Sequence, residues 1–117
     1  MATHIYRAVV RGMFDDLDEP MRARLLADVE AHDIFVSAFT AAGTFTYDRA
    51  LVAFNFRYEV RQVTEDGESS PAEVLGSVEE RAMELALASL GDDGLRAKHL
   101  RVQAWDMADS WRPSGSR

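Results

Sequence analysis

The stretch Leu51–Arg61, LVAFNFRYEVR, constrains the fold of this chain more than any other. Every second residue belongs to an apolar or aromatic set, namely Val52, Phe54, Phe56, Tyr58 and Val60. Because successive side chains of a β-strand point to opposite faces, this period of two predicts a strand with one face in a core. The opposite face of the same strand then carries Asn55, Arg57, Glu59 and Arg61. A polar face with two arginines has to be accounted for.

Three more stretches predict strands. Ile5–Phe14 alternates in the same way, and Lys98–Met107 places Leu100, Val102 and Ala104 opposite Arg101, Gln103 and Trp105. Thr44–Tyr47 is rich in strand-forming residues and is predicted to form a hairpin with Leu51–Val63. Ile34–Phe39 fits either a short strand or an extended lead-in.

A first helix is predicted between the first strand and the hairpin. Asp18 or Glu19 can cap it, and Pro20 fits only its first turn. Apolar residues then recur at spacings of three and four, so the pattern predicts an amphipathic helix to about His32.

A second helix is predicted between the hairpin and the last strand. Ser70, Pro71 and Glu73 form a capping box with proline at the first helical position. The apolar stripe carries this helix to Leu90, and Gly91 is predicted to be its left-handed stop.

The order strand, helix, strand, strand, helix, strand predicts a ferredoxin-like βαββαβ sandwich, which is an α+β fold. Its four-stranded antiparallel sheet carries both helices on one face because the crossovers are right-handed. We expect one domain over residues 1–111 and a flexible tail over 112–117. We also expect nothing from this chain to cover the other face of the sheet.

That open face is where we expect a function. With the first strand between the third and the fourth, five arginines and one acid gather on it. The residues predicted to bind a ligand or to form a dimer face are Arg7, Arg11, Asn55, Arg57, Glu59, Arg61, Arg101, Gln103 and Trp105.

Three interpretations of the open face remain. The arginines could belong to a solvated, mixed surface that binds nothing. A second copy could pack there as a homodimer, with apolar area from Ile5, Val9, Met13 and Trp105. The face could also bind an anionic small molecule, because the planar fork of arginine suits carboxylate or phosphate.

Composition argues against several other functions. A formal net charge of −7 disfavours a nucleic-acid partner, and no apolar run is long enough for a membrane span or a signal peptide. The chain has no cysteine, no paired histidines and no glycine-rich phosphate loop. We therefore expect no metal, no cofactor, no membrane contact and a cytoplasmic location.

A different class of function stays open beside the binding protein. A cofactor-free enzyme of the dimeric α+β barrel type, similar to polyketide cyclases or monooxygenases, would use a pocket between sheet and helices. It would need polar side chains directed into that pocket. The candidates are Tyr6, Tyr58, His4 and Asp106.

Three segments resemble an uncharacterised family of short actinobacterial proteins, a domain of unknown function. They are YRAVVRGMF (Tyr6–Phe14), AFTAAGTFTYDRALVAFNFRY (Ala38–Tyr58) and LRVQAWDMADSW (Leu100–Trp111). The resemblance implies a GC-rich actinobacterial host. It assigns no catalytic or binding role to any residue.

Overall fold

A computed structural model of the chain describes residues 2–32, 38–64 and 70–107. The strands are β1 (Ala2–Phe14), β2 (Thr44–Tyr47), β3 (Ala53–Thr64) and β4 (Ala97–Asp106). The helices are α1 (Glu19–Ala27) and α2 (Pro71–Asp92). A 3₁₀ turn at Val29–His32 follows α1. The predicted order of strands and helices is confirmed. The predicted tail at 112–117 and most of Ile34–Phe39 lie outside the described residues.

The four strands form one antiparallel sheet in the order β2-β3-β1-β4. β1 is therefore central, as predicted, and pairs with β3 over almost its whole length. Ala8 lies between Tyr58 and Ala104, and Val10 lies between Phe56 and Val102. The α+β class with a four-stranded antiparallel sheet and two helices is confirmed.

One hydrophobic core joins both helices to the same face of the sheet. Leu25 from α1 and Val78 from α2 belong to the cluster that contains Val10 and Tyr58. Burying each such aliphatic side chain contributes about 1.5–3 kcal/mol, so this core supplies most of the stability. Among the described residues, no helix is both long enough and apolar enough to cross a membrane.

The first helix is shorter than predicted. Asp18 caps it, since its Oδ1 accepts a hydrogen bond from the Met21 N–H at 2.9 Å. The regular helix ends at Ala27, and the Ala31 N–H then donates to the Asp28 carbonyl at 3.0 Å. Bonds to the third residue back tighten the chain into the 3₁₀ turn, so the prediction of one helix to His32 was wrong in its last turn.

The second helix begins as predicted and ends later. The Glu73 N–H donates to Ser70 Oγ at 3.2 Å, which confirms the cap. The left-handed residue at the other end is Gly94, with φ +70°, and not Gly91. The Leu95 N–H donates to the Leu90 carbonyl at 2.8 Å, the longer bond of a Schellman motif. The motif places the buried Leu95 in the core, a tertiary contact that local composition did not reveal.

A β-bulge interrupts the pairing of β1 with β4. Met13 lies opposite Lys98 and Arg11 lies opposite Arg101, so β4 has one extra residue in between. His99 has φ +54° there. In a regular ladder Leu100 would lie opposite Arg11, and every later side chain of β4 would change face. The bulge therefore directs Leu100 into the core and Arg101 onto the open face.

Candidate ligand-binding face

The open face is the side of the sheet opposite to the helices. Three rows of its residues cross β3, β1 and β4 in register. In that strand order the rows are Glu59–Arg7–Trp105, Arg57–Val9–Gln103 and Asn55–Arg11–Arg101, and Arg61 lies opposite Ile5. The structure thus brings all nine sequence-predicted residues to one face. Their role in binding stays a prediction.

Phe39 lies across the middle of this face. The Cζ atoms of Arg7 and Arg57 are 4.7 and 5.3 Å from the centre of its ring, and Trp105 meets the ring edge-to-face at 5.9 Å. Val9, an open-face residue, is only 6% exposed. The expectation that nothing from this chain covers the open face was therefore wrong.

The length of β2 explains how Phe39 reaches this position. β2 has four residues and pairs only with the first part of β3, so β2 does not cover the edge of β3 beyond Arg57. Thr40 occupies that edge, where its carbonyl accepts a hydrogen bond from the Glu59 N–H at 2.8 Å. Phe39 precedes Thr40 and extends from this anchor over the open face.

We call Phe39, Arg7, Arg57, Glu59 and Trp105 the Phe39 end of the open face. Arg7 is half-buried there and lies opposite Glu59 in the register. Its Nε is buried without a hydrogen-bond partner among the described residues. The faces of aromatic rings attract guanidinium groups, so Phe39 stabilises these two cations by about 0.5–1 kcal/mol each.

We call Arg11, Arg101, Asn55, Thr46 and His99 the Arg11 end. Arg11 and Arg101 are both exposed and lie directly opposite each other on neighbouring strands. Directly opposed residues have Cα atoms only about 4.5–5.5 Å apart, and like charges in such a pair destabilise a sheet. In the described part of the chain, no carboxylate lies within 4.0 Å of either guanidinium group.

Thr46 holds the amide of Asn55 in place. The Thr46 hydroxyl donates to Asn55 Oδ1 at 2.6 Å, and Thr46 is only 1% exposed. Because the amide oxygen accepts this bond, the amide nitrogen keeps its two N–H donors for another partner. Thr46 was not predicted as a site residue, although its place in the hairpin opposite Asn55 could have been read from the strand pattern.

The Arg11 end forms part of an open concavity of about 1020 Å³ at the end of the sheet. Its lining includes His99 of the β4 bulge and Asp48 and Arg49 of the β2–β3 turn. Arg49 of that turn pairs with Glu30 at 3.5 Å. The sequence did not predict this concavity, because the bulge that shapes it follows from pairing between distant segments. The one local sign of the bulge is Lys98, because strict alternation from Leu100 would place this charged residue in the core.

Three of the four enzyme candidates gather at the opposite end of the sheet, on its helix-covered face. His4 Nδ1 lies 2.9 Å from Asp106 Oδ2, and the rings of His4 and Tyr6 are stacked with centroids 6.1 Å apart. Tyr6 lies opposite Asp106 in the register.

Tyr58 does not join this group. It lies opposite Ala8 in the middle of the sheet and is fully buried. Burial raises the pKa of Tyr58 to about 12, and the nearby Ser89 hydroxyl opposes the shift. The Tyr58 hydroxyl makes no hydrogen bond of ordinary geometry within the described residues. A neutral, buried phenol of this kind belongs to the core.

Fold and site together define a small α+β protein with an arginine-rich sheet face that, among the described residues, is covered at one end and open at the other. A family model described as a family of unknown function (DUF6204) matches residues 1–114, and the chain belongs to that family. The resemblance to an uncharacterised domain family is thereby confirmed. No curated protein and no solved structure matches the chain.

Proposed function

We propose that this is a small binding protein whose open face takes an anionic small molecule at the Arg11 end. The observation that carries the proposal is the direct opposition of Arg11 and Arg101 on neighbouring strands. Two exposed guanidinium groups held this close repel each other, whereas a carboxylate or phosphate between them would accept hydrogen bonds from both. The fixed amide of Asn55 adds donors beside them.

The neighbouring charges support the same conclusion. Two acids, Glu30 and Asp48, also line the concavity. Glu30 pairs with Arg49, and Asp48 Oδ1 accepts a hydrogen bond from the Ala50 N–H at 3.1 Å. Both acids have local partners, so we expect neither to neutralise the Arg11–Arg101 pair. A ligand can then balance the charge of this pair.

We also infer that the fold is of the ferredoxin-like class. Support comes from the element order and from the strand order β2-β3-β1-β4 with both helices in one core. That class leaves one sheet face without helices, which suits a binding role for the face.

A homodimer through the open face is part of this proposal. Ile5 and Trp105 would supply apolar contact area. A two-fold interface places the same patch on both subunits, so it would bring the arginines of one copy toward those of the other. Such a dimer needs anions between the two faces, and we therefore expect ligand binding to promote it.

The enzyme of the dimeric α+β barrel type remains the second candidate, and the contact between His4 and Asp106 favours it. A carboxylate that accepts a hydrogen bond from one ring nitrogen leaves the other nitrogen able to accept a proton. Tyr6 beside this pair would complete a small polar group between sheet and helices.

Calorimetric titration with inorganic phosphate and with citrate, at matched ionic strength, tests the proposed site. The variant R11A/R101A is compared with R22A/R81A, which removes the same charge from exposed positions on α1 and α2. We expect wild type and R22A/R81A to bind alike and R11A/R101A to lose at least tenfold in affinity. Equal losses in both variants would overturn the proposal.

Light scattering at micromolar protein concentration tests the dimer, with and without citrate. We expect the dimer fraction to rise with citrate in wild type and not in R11A/R101A. A protein that stays monomeric at saturating citrate contradicts the dimer, and leaves the anion site to be judged by the titration.

A further inference from the structure

We propose that the outer edge of β4 is a second interaction surface, where a second copy of this chain adds its own β4 in antiparallel pairing. The observation that carries the proposal is a hydrogen bond between this edge strand and Glu79 of α2. The surface is separate from the open face, because main-chain groups at the side of the sheet form it. It goes beyond the proposed function and needs no anion.

Main-chain groups of β4 point away from the sheet at every second residue. β4 is an outer strand, and its inner side pairs with β1. The Ala104 N–H donates to Glu79 Oε2 at 3.3 Å, so it points outward and not toward Ala8, the residue opposite on β1. Because these groups alternate between the two sides of a strand, those of Val102 point outward as well. In the part of the chain that the structure describes, no strand pairs with this side of β4.

Glu79 takes the place of a strand that could be added to this edge. Its carboxylate oxygen accepts the bond that the carbonyl oxygen of an added strand would accept. Proteins protect exposed edges with charged side chains and with bulges, because an open edge pairs readily with another chain. β4 has both, with the bulge at His99 near its start and Glu79 toward its other end. One carboxylate covers one donor, so we expect Glu79 to weaken strand addition and not to prevent it.

The regular part of β4 is complementary to itself. It extends from the bulge to Asp106 without proline or glycine, and Gln103 lies at its centre. Antiparallel pairing of two copies about Gln103 places Val102 opposite Ala104 of the partner subunit. The outward groups of these two residues then exchange both hydrogen bonds, as in a regular antiparallel ladder. A two-fold axis through the centre of the strand therefore joins the same surface on both subunits.

The same register also pairs side chains on the open side of the joined sheets. Arg101 lies opposite Trp105 of the partner subunit when the pairing is centred on Gln103. A cation opposite an aromatic ring is a favourable cross-strand pair. The register that satisfies the main chain thus also gives Arg101 an aromatic partner.

A row of apolar residues on α2 favours a second copy over an extended peptide. Residues four apart lie on one side of a helix, so Leu75, Met83 and Leu87 share the side from which Glu79 reaches the edge. Leu75 and Met83 are partly buried, whereas Leu87 is 50% exposed. A second copy brings its own α2 to this row and would cover Leu87. An extended peptide has no helix to do so.

Sedimentation velocity of the full chain, without citrate or phosphate, tests the role of Glu79. Glu79→Ala is compared with Glu80→Ala, which removes the same charge from an exposed position of α2. We expect Glu79→Ala to dimerise at least fivefold more tightly than wild type and Glu80→Ala to stay within twofold of wild type. Equal association of the two variants, or a Glu79→Ala protein that stays monomeric, would overturn the proposal. The anion site would be unaffected, because its titration does not involve this edge.

A charge exchange at Gln103 tests the register of the pairing. Gln103→Glu and Gln103→Lys are each combined with Glu79→Ala. Like charges directly opposite each other destabilise a strand pair, so each double variant should dimerise at least tenfold less tightly than Glu79→Ala. An equal mixture of the two should recover the lost affinity. A mixture that associates no more tightly than either variant alone would refute the pairing about Gln103.

Amide hydrogen exchange of Glu79→Ala identifies the occupant of the edge. The Val102 and Ala104 amides should exchange at least tenfold more slowly when the dimer forms than in dilute monomer. Dimerisation without this protection would refute β4 pairing. A protein that stays monomeric and gains the protection only with an added peptide of alternating threonine and valine binds another chain at this edge, which would overturn the assignment to a second copy.

Discussion

The two ends of the open face present arginine in two different surroundings. At the Phe39 end, Arg7 and Arg57 lie against the ring of Phe39, and Trp105 meets the same ring edge-to-face. At the Arg11 end, Arg11 and Arg101 face each other with no ring and no carboxylate beside them in the described part of the chain. The two ends lie in different rows of the same three strands.

The contrast shows that the segment covering an arginine, and not the residue type, decides the role of that arginine on a sheet. A guanidinium group under Phe39 contributes packing area and a cation–π contact, so it acts as part of the structure. An exposed arginine pair at the edge of a concavity, such as Arg11 and Arg101, contributes little to folding and is available to a ligand. We therefore expect the Phe39 end to respond to mutation in stability and the Arg11 end in binding.

The largest effect is expected from Gly43→Ala, which should break the anchor of the Phe39 end. The Gly43 N–H donates to Thr40 Oγ1 at 3.0 Å, and Gly43 has φ +93°. A Cβ atom there would overlap the buried ring of Tyr58. Strain and overpacking together should lower the free energy of unfolding by about 3 kcal/mol, measured by urea denaturation.

Gly76→Ala is the matched control for this change. Gly76 lies inside α2 with open space where the Cβ would be, so alanine should stabilise the protein by about 0.5–1 kcal/mol. A loss below about 1 kcal/mol for Gly43→Ala would show that the Thr40–Gly43 turn does not hold Phe39 in place.

Phe39→Ala should have the next largest effect, since it uncovers both arginines of the Phe39 end. Loss of the ring removes two cation–π contacts, one aromatic contact and apolar burial, about 2 kcal/mol in all. Phe39→Leu should lose about half as much because it keeps the burial. Val63→Ala, at an exposed position on β3, should change stability by less than about 0.5 kcal/mol. Equal values for Phe39→Ala and Val63→Ala would refute the packed description of this end.

Alkaline pH should affect stability through Tyr58, whose ring lies beneath the Gly43 anchor. Its pKa is raised to about 12 in the folded protein, against 10.0 as the ordinary value. Below pH 10 the phenol is neutral in both states, and its contribution is fully present. Between pH 10 and 12 mainly the unfolded chain loses the proton, so stability falls as pH rises, by about 2 kcal/mol at pH 12.

Tyr58→Phe isolates this contribution. Denaturation curves at pH 9 and pH 11.5 should differ less for the variant than for wild type, because the variant lacks the Tyr58 phenol. Tyr47, whose pKa burial also raises, is present in both proteins and contributes equally to the two pH dependences. An equal pH dependence in the two proteins would contradict the assignment to Tyr58.

Single arginine variants at each end should change stability least, and they test the difference between the two ends directly. Arg7→Ala should lower the free energy of unfolding by about 1 kcal/mol, because it removes a half-buried side chain under Phe39. Arg101→Ala should raise it by a few tenths of a kcal/mol, because it relieves the repulsion from Arg11. Arg22→Ala on α1 serves as the exposed reference. Changes in the free energy of unfolding of opposite sign for Arg7→Ala and Arg101→Ala would support the distinction between the two ends. A loss of stability for Arg101→Ala as large as that for Arg7→Ala would contradict it.

Much of the fold followed from local patterns. Alternation in Phe54–Arg61 and in Ile5–Phe14 gave the correct faces because the pleat ties sequence parity to geometry. Val52, which the same alternation placed in the core, is exposed, because β3 begins only at Ala53. Ser70 was read correctly as a cap because its hydrogen bond to the Glu73 N–H spans only three residues. The shared face of the nine candidate residues followed from the same parity.

Other features depended on contacts between distant parts of the chain. Gly94 ends α2 because Leu95 has a place in the core, and Gly91 then stays within the helix. Phe39 covers the open face because β2 is short and leaves the edge of β3 to Thr40. No local pattern around Phe39 indicates that it lies over Arg7, which is more than thirty residues earlier in the chain.

Local sequence patterns were enough to give the order of the elements, the face of each regular strand and the gathering of arginines on one side of the sheet. Which arginines are covered, and where the concavity lies, depended on tertiary packing. The reason is physical: alternation and capping act over a few residues, whereas the bulge at His99 and the position of Phe39 depend on how β1, β3 and β4 pair.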